Sequence, residues 1–364
     1  MNLEAVNILQ CPVSFQSLRL MYAEEIAQLN TEIANGLVYN LEGNRVSNLF
    51  SDGLITEDKQ LIYEIADGIA ILLPICAIST NKNKTGTQKL STETQIIKAF
   101  YDNIGWNKTE DKLFEDARRF EDLRPVMQSY ISKCHLRLNN YIQPIGKFIL
   151  DAASGPVQYD EYLTYSENYE YRICVDVSID ALKHAQRRIG NKGIYLLADI
   201  TSLPIKANVC DAFISLHTLY HVPALHQLKA LQELVRVLKK DATGVVVYSW
   251  KTSILMTLFQ PRVLARKIFT WLNAGKENSK IILSEDTDFY FHAYTQTWFD
   301  KDLKANFPNI QLGIWRTISP VVSRRFIQSW FFGELITATI YSLENKFPNF
   351  FGRYGQYPVF ILIK

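Results

Sequence analysis

The sequence predicts a doubly wound α/β fold from Lys147 onward, with a small β-rich module ahead of it. Three observations carry this. Five apolar runs after residue 147 are continuous rather than alternating, which is how parallel strands covered on both faces look. Segments with helical spacing lie between them, and that alternation builds a layered sheet with right-handed crossovers. Successive runs also close on polar residues, where such a sheet binds its ligand.

The first strand is Phe148–Leu150, followed by the small-residue turn Asp151-Ala152-Ala153-Ser154-Gly155-Pro156. Tyr171–Val177, Gly193–Leu197, Ala212–Leu216 and Gly244–Tyr248 follow, with helices at Ile179–Ile189 and Leu225–Leu238. Ser178 or Asp180 can cap the first of these helices. A last helix starts at Thr295, and Ile310–Arg316 and Pro358–Ile363 bring the sheet to seven strands. Aromatic-rich helical insertions interrupt it at about 251–290 and 320–352. Ahead of the sheet, residues 1–78 form the β-rich module, ending in a hairpin: Gln60–Ile65, the turn Asp67-Gly68, then Ile69–Leu73. Residues 79–91 have linker composition. Residues 92–145 read as helices, the first capped by Thr92-Glu93-Thr94 with Ile96, Ile97, Phe100 and Tyr101 on one face.

Composition bounds the function. The 39 basic and 37 acidic residues leave a net charge of only +2, so no basic footprint for nucleic acid is expected. Five cysteines, none close to another, read as free thiols of a reduced, cytoplasmic protein. The N-terminus lacks the pattern of a secretory signal. The longest apolar runs, such as Ile69–Ile78, are too short to span a bilayer.

The polar groups at the strand ends define a crevice. The second strand ends on Asp176-Val177, where a carboxylate accepts both hydroxyls of a ribose diol. The third runs into Asp199-Ile200, where a carboxylate accepts from an exocyclic adenine amine. The fourth runs into Ser215-Leu216-His217. Together they describe a site for an adenosine-containing ligand. A nicotinamide-dependent dehydrogenase would want Gly-x-Gly-x-x-Gly opening a helix directly. Here Tyr159–Glu170 intervenes instead.

On these residues the sequence resembles the class I S-adenosylmethionine-dependent methyltransferases, closely over 147–250 and loosely over 290–364. Their first motif is a strand, an acid and Gly-x-Gly-x-Gly. The glycine positions here hold Ala153, Gly155 and Val157, so a different backbone path is expected at the methionine end, with Ser154 and Pro156 taking part. The resemblance implies that Asp151, Ala153, Ser154 and Gly155 face the methionine part of the cofactor. It places Asp176 and Val177 at the ribose, Asp199 and Ile200 at the adenine, and Ser215 and Leu216 near the sulfonium. Leu219-Tyr220-His221-Val222 looks like the corresponding run of small-molecule methyltransferases.

Methyl transfer from a sulfonium is an in-line displacement, so the enzyme aligns its reactants in a dry pocket. For a hydroxyl acceptor a general base helps. His217 and His221 are the candidates, with Tyr220 as hydrogen-bonding partner; the alternative is that they only shape the loop. No metal is expected. Aromatics at Tyr290–Trp298 and after Trp250 suggest a small acceptor with apolar or sugar-like faces. Arg324–Leu343 mixes Arg, Trp, Phe and Ile at helical spacing, which fits a buried helix or a peripheral membrane contact. Leu9-Gln10-Cys11-Pro12-Val13-Ser14 and Ile65–Leu73 resemble the zinc-ribbon-derived domain that activates several RNA and protein methyltransferases. Ser14 stands where that domain has its second cysteine, so a zinc-free module is expected. Three readings follow: a small-molecule methyltransferase, an RNA or protein methyltransferase, and a cofactor-binding relative without turnover.

Overall fold

The computed structural model describes residues 1, 3–80, 92, 95–96, 99, 101, 106, 114–253, 257 and 290–364. Most of the linker at 79–91, of the helix expected around Ile96–Tyr101, and of the insertion at about 251–290 lies outside these residues. In the N-terminal module the strands are β1 (Leu18–Leu20), β2 (Asp52–Thr56), β3 (Leu61–Ala66), β4 (Ile69–Ile71) and β5 (Ile78–Ser79). The remainder are β6 (Gly146–Ala152), β7 (Tyr169–Asp176), β8 (Gly193–Leu197), β9 (Cys210–Leu216), β10 (Leu238–Val247), β11 (Gln311–Arg316) and β12 (Tyr357–Ile363). Every strand expected from the sequence is present.

The order across the second set is β8-β7-β6-β9-β10-β12-β11, parallel except for β12. The chain winds outward from β6 to β8 and returns to β9 on the other side. The switch in direction therefore opens a crevice at the carboxyl ends of β6 and β9. Alternation along each strand feeds two cores. Phe148, Leu150 and Ala152 join Ile173, Phe213 and Phe360 on one face. Ile149 joins Cys174, Ile214 and Ile361 on the other. The helix Ile179–Ile189 has the expected bounds, and Ser178 caps it by accepting from Ala181 N.

One expectation is corrected. The seven-stranded sheet does not stop at β8. Strand β4 pairs with β8 in parallel, Ile69 opposite Tyr195 and Ile71 opposite Leu197, and Leu72 N donates to Leu197 O at 2.8 Å. All twelve strands form one sheet. The physical reason lies at the edge of β8, whose unpaired N–H and C=O groups need a partner. The short apolar strand after the Asp67-Gly68 turn supplies it. Both turn residues have left-handed φ, 52° and 79°, as a tight hairpin requires. The module keeps a small core of its own around Leu29, Ile33, Phe50 and Ile62, while Leu9, Leu54, Tyr63 and Leu72 join the main one. Cys11 Sγ accepts from Val13 N and Ser14 N and lies 3.1 Å from the Tyr63 hydroxyl. Among the described residues no group of three or more His, Cys, Asp or Glu could hold a metal.

The C-terminal insertion folds as helices α1 (Pro320–Phe326), α2 (Gly333–Lys346) and α3 (Pro348–Tyr354). A buried network ties it to the sheet. Glu344 accepts from Arg137 Nη2 at 2.8 Å, from the Tyr130 hydroxyl at 2.6 Å and from Thr317 N at 2.8 Å. No described helix is long and apolar enough to cross a membrane.

Candidate active site

A cavity of about 1290 Å³ opens at the strand ends. Single-ligand pockets are commonly about 300–1,000 Å³, so this one has room for two molecules side by side.

Its floor is the turn after β6. Ala153, Gly155 and Val157 all have left-handed φ, 56°, 55° and 53°. Ala153 and Val157, at two of the missing glycine positions, thus adopt torsions that favour glycine. The glycine-like conformation is kept by residues that resist it, at about 1–2 kcal/mol each; a β-branched residue there is an outlier. Burial of Val157 against the second core offsets part of this. Where glycine remains it is needed for space as well. A Cβ on Gly155 would come within 3.0 Å of the Trp106 ring.

Asp176 closes β7 and is buried. Its two oxygens accept from Gly155 N and Ser178 N, each at 2.9 Å, which fixes the carboxylate at the cavity wall. Burial pushes its pKa up to about 6, against the pull of those N–H groups. Val177, Asp199 and Ile200 line the cavity beside it. Asp199 is aimed by Thr201 N at 2.8 Å. Asp151 also lines the cavity, but one of its oxygens accepts from the buried Arg172 (Nε at 3.0 Å), so it anchors β6 to β7. Ser154 and Leu216 face the cavity. Ser215 does not line it: its hydroxyl is buried in β9 without a hydrogen-bond partner. The period-two alternation of a strand turns Ser215 away and brings Leu216 in.

Sequence reasoning missed the outer wall of this end. Strand β4 points the same way as β8, so its closing turn opens at the same edge. Pro74 and Ile75 line the cavity there, as do Pro12 and Val13, held by the Ser202 hydroxyl donating to Pro12 O at 2.9 Å.

His217 and His221 both line the cavity. They share no helical face, because only a short turn, Leu219–His221, follows His217. His221 Nδ1 lies 2.9 Å from Tyr290 O. A carbonyl only accepts, so Nδ1 carries the proton and Nε2 is the basic nitrogen. Burial lowers the His221 pKa to about 4, so the ring is neutral near pH 7. His217 Nδ1 lies 3.1 Å from the Tyr220 hydroxyl. Burial, then the nearby Arg316 charge, hold His217 well below the usual histidine range.

The far end carries groups the sequence did not flag. Arg316 at the end of β11 is buried over the Trp315 and Tyr357 rings and donates to Glu121 at 2.6 Å. Asp116 holds Gln158 at 3.2 Å, and burial raises its pKa to about 6. A charged residue inside the apolar run Leu312–Ile318 was a readable signal for Arg316. Glu121 and Asp116 had none.

With the geometry in view, comparison with known proteins is informative. A family model described as a methyltransferase domain matches residues 150–246. That span holds the left-handed turn, Asp176, Asp199 and His217–His221. No curated protein matches the chain. Among solved structures, Haemonchus contortus phosphoethanolamine N-methyltransferase 2 in complex with S-adenosyl-L-methionine is 13% identical over 79% of this chain and 63% of that one, with TM-score 0.44. A second structure of that enzyme, with S-adenosylhomocysteine, is 14% identical over 66% of this chain and 56% of that one, with TM-score 0.39. The chain thus spans about 56–63% of the length of these enzymes. A SAM-dependent methyltransferase from Archaeoglobus fulgidus is 14% identical over 68% of this chain and 98% of that one, with TM-score 0.41.

Residues 150–246 are therefore similar to a methyltransferase domain, and they lie on a mostly parallel, Rossmann-like sheet. The cofactor of such domains is S-adenosylmethionine, and the residues here fit it. Asp176 holds a fixed carboxylate at the cavity wall that can accept from a diol, and a side chain at Gly155 would crowd the Trp106 ring.

Proposed function

We propose that the chain transfers the methyl group of S-adenosylmethionine to a small-molecule acceptor, with His221 as general base. The observation that carries this is the His221–Tyr290 hydrogen bond, which fixes the tautomer and leaves Nε2 as a neutral base at the cavity wall. When bound, the cofactor supplies an electrophilic methyl on a sulfonium. Asp176 would accept from its ribose, Asp199 would receive the adenine amine, and the Ala153–Gly155 backbone would cradle the methionine end. His221 Nε2 takes the proton that a hydroxyl acceptor releases as its oxygen gains the methyl. His217 and Tyr220 orient each other beside it, and His217 is the second candidate for the base. The deep, aromatic-walled cavity favours a small acceptor over RNA or protein. The carboxylates of Asp176 and Asp199, both fixed at the cavity wall, speak against a relative that has lost the cofactor. The N-terminal module acts, in this reading, as a built-in activator that walls the adenine end.

Calorimetry with S-adenosylmethionine and a metabolite screen with tritiated cofactor test this together. Asp176→Ala should weaken binding about 100-fold, the scale of two lost charge-assisted hydrogen bonds. His221→Ala should keep cofactor affinity and lose about 100-fold in turnover. Unchanged turnover in His221→Ala would reject the base role; unchanged affinity in Asp176→Ala would reject the cofactor site.

A further inference from the structure

Past the cavity mouth the C-terminal insertion presents an apolar surface with no partner in the chain's described part. Trp330, Phe331 and Phe332 follow one another in sequence and are 82%, 56% and 73% exposed. Val321 and Leu335 add to the patch at 68% and 64%. Three consecutive exposed aromatics are unusual on a water-facing surface, where large apolar patches mark interaction sites.

The protrusion is held in place. Phe331 N and Gly333 N both donate to Gln328 O at 3.1 Å, and Gln328 Oε1 accepts from Arg124 Nη1 at 3.3 Å. Gly333 is pressed so tightly between Gln328 O and Val126 that a Cβ would overlap both. Phe332 sits in the left-handed region at φ 51°, a conformation that costs a non-glycine residue about 1–2 kcal/mol. The turn therefore spends backbone strain on holding its aromatics outward, a feature that points from structure to function.

The charges around the patch are one-sided. Arg324 and Arg325 are exposed beside it, with Arg324 Nη2 held by Glu121 O at 2.6 Å, against the single acid Glu334. Aromatic and aliphatic side chains flanked by arginines match the interfacial zone of an anionic bilayer. The surface also adjoins the cavity, because Val321 and Arg324 line its mouth.

We propose that the surface formed by Val321, Arg324, Arg325 and Trp330–Leu335 docks on an anionic lipid membrane and brings the mouth of the cavity to it. The docking stands apart from methyl transfer. That the acceptor is drawn from the membrane rests on the function proposed above.

Co-sedimentation of the full chain with vesicles tests the docking without any turnover assay. Vesicles of phosphatidylcholine mixed with phosphatidylserine should bind, and binding should weaken with salt. The triple variant Trp330→Ser, Phe331→Ser, Phe332→Ser should lose at least tenfold in binding while its melting temperature and calorimetric S-adenosylmethionine affinity stay put. Arg325→Glu should lose about thirtyfold, from two units of charge near an anionic surface. Equal binding by wild type and triple variant would overturn the proposal. So would a wild-type dimer in solution that the triple variant dissolves, since a second copy would then cover the patch. Vesicle binding with no methyl transfer to lipid would keep the docking and reject the lipid acceptor alone.

Discussion

The two ends of the cavity are made from different materials. At the proposed cofactor end the working parts are backbone: N–H groups of Gly155 and Ser178 gripping Asp176, a left-handed turn, and strand ends arriving side by side. At the far end, the proposed acceptor end, they are side chains from distant parts of the chain: Glu121, His217, Trp315, Arg316 and Tyr357, joined by a buried ion pair and edge-to-face rings. A backbone-built site keeps its shape when side chains change, as Ala153 and Val157 show. A site built from buried charges depends on each partner.

The sharpest way to break this comparison is at Arg316. Arg316→Ala would strand Glu121 in the interior, and removing one partner of a buried pair costs about 3–5 kcal/mol. Thermal unfolding should show a large drop in Tm; a change below about 1 kcal/mol would mean the acceptor end is as forgiving as the other.

A pH titration of cofactor affinity comes next in size. Asp176 accepts hydrogen bonds best when ionised, and its pKa in the folded protein is raised to about 6. Affinity for S-adenosylhomocysteine should therefore hold above pH 6 and fall about tenfold per pH unit below it. In the cofactor-free protein the sign is opposite. The raised pKa favours the protonated folded state, so this contribution to stability is lost as pH rises through about 6. Asp116 titrates in the same range at the far end. Asp176→Asn should abolish the pH dependence of cofactor affinity, and Asp116→Asn should leave it.

Smaller effects sharpen the picture of the cofactor end. Ile75→Ala removes part of the wall that the N-terminal module supplies, and affinity for adenosine should fall about three- to tenfold, the worth of one or two buried methylenes. No change would mean that the module only packs beside the site. Smallest of all, Ala153→Gly relieves the left-handed strain but adds glycine's entropy, for a net gain of up to about 1 kcal/mol in denaturant unfolding. Cofactor affinity should not move, because the backbone path is already the one glycine prefers.

The same division explains what could be read from the sequence. The strands β6–β12 and the helix after Ser178 rest on local patterns, and Asp176 and Asp199 follow from their places at strand ends. The left-handed torsions of Ala153 and Val157 were not legible, because neither residue prefers them and the packing around Val157 is set by distant residues. Ser215 and Leu216 were both read as lining the crevice, but neighbours in a strand face opposite ways, and only Leu216 lines the cavity. Arg316 and Glu121 meet across 195 positions of sequence, and no spacing rule spans that distance. The partner of β4 was equally hidden, since its three apolar residues fit the edge of any parallel strand.

That pairing reaches beyond the finished molecule to its synthesis. Strands β1–β4 can form their hairpins as soon as they leave the ribosome, but the second edge of β4 must stay open until residues 193–197 emerge. Until then the nascent chain exposes the bare edge of a sheet, the kind of surface that recruits chaperones or pairs wrongly. A chain with Ile69 or Ile71 changed to lysine should be slower to mature than its final stability alone would suggest, because the long-range closure of β4 on β8 comes late. The wall of the cofactor site would then be among the last parts of the protein to form.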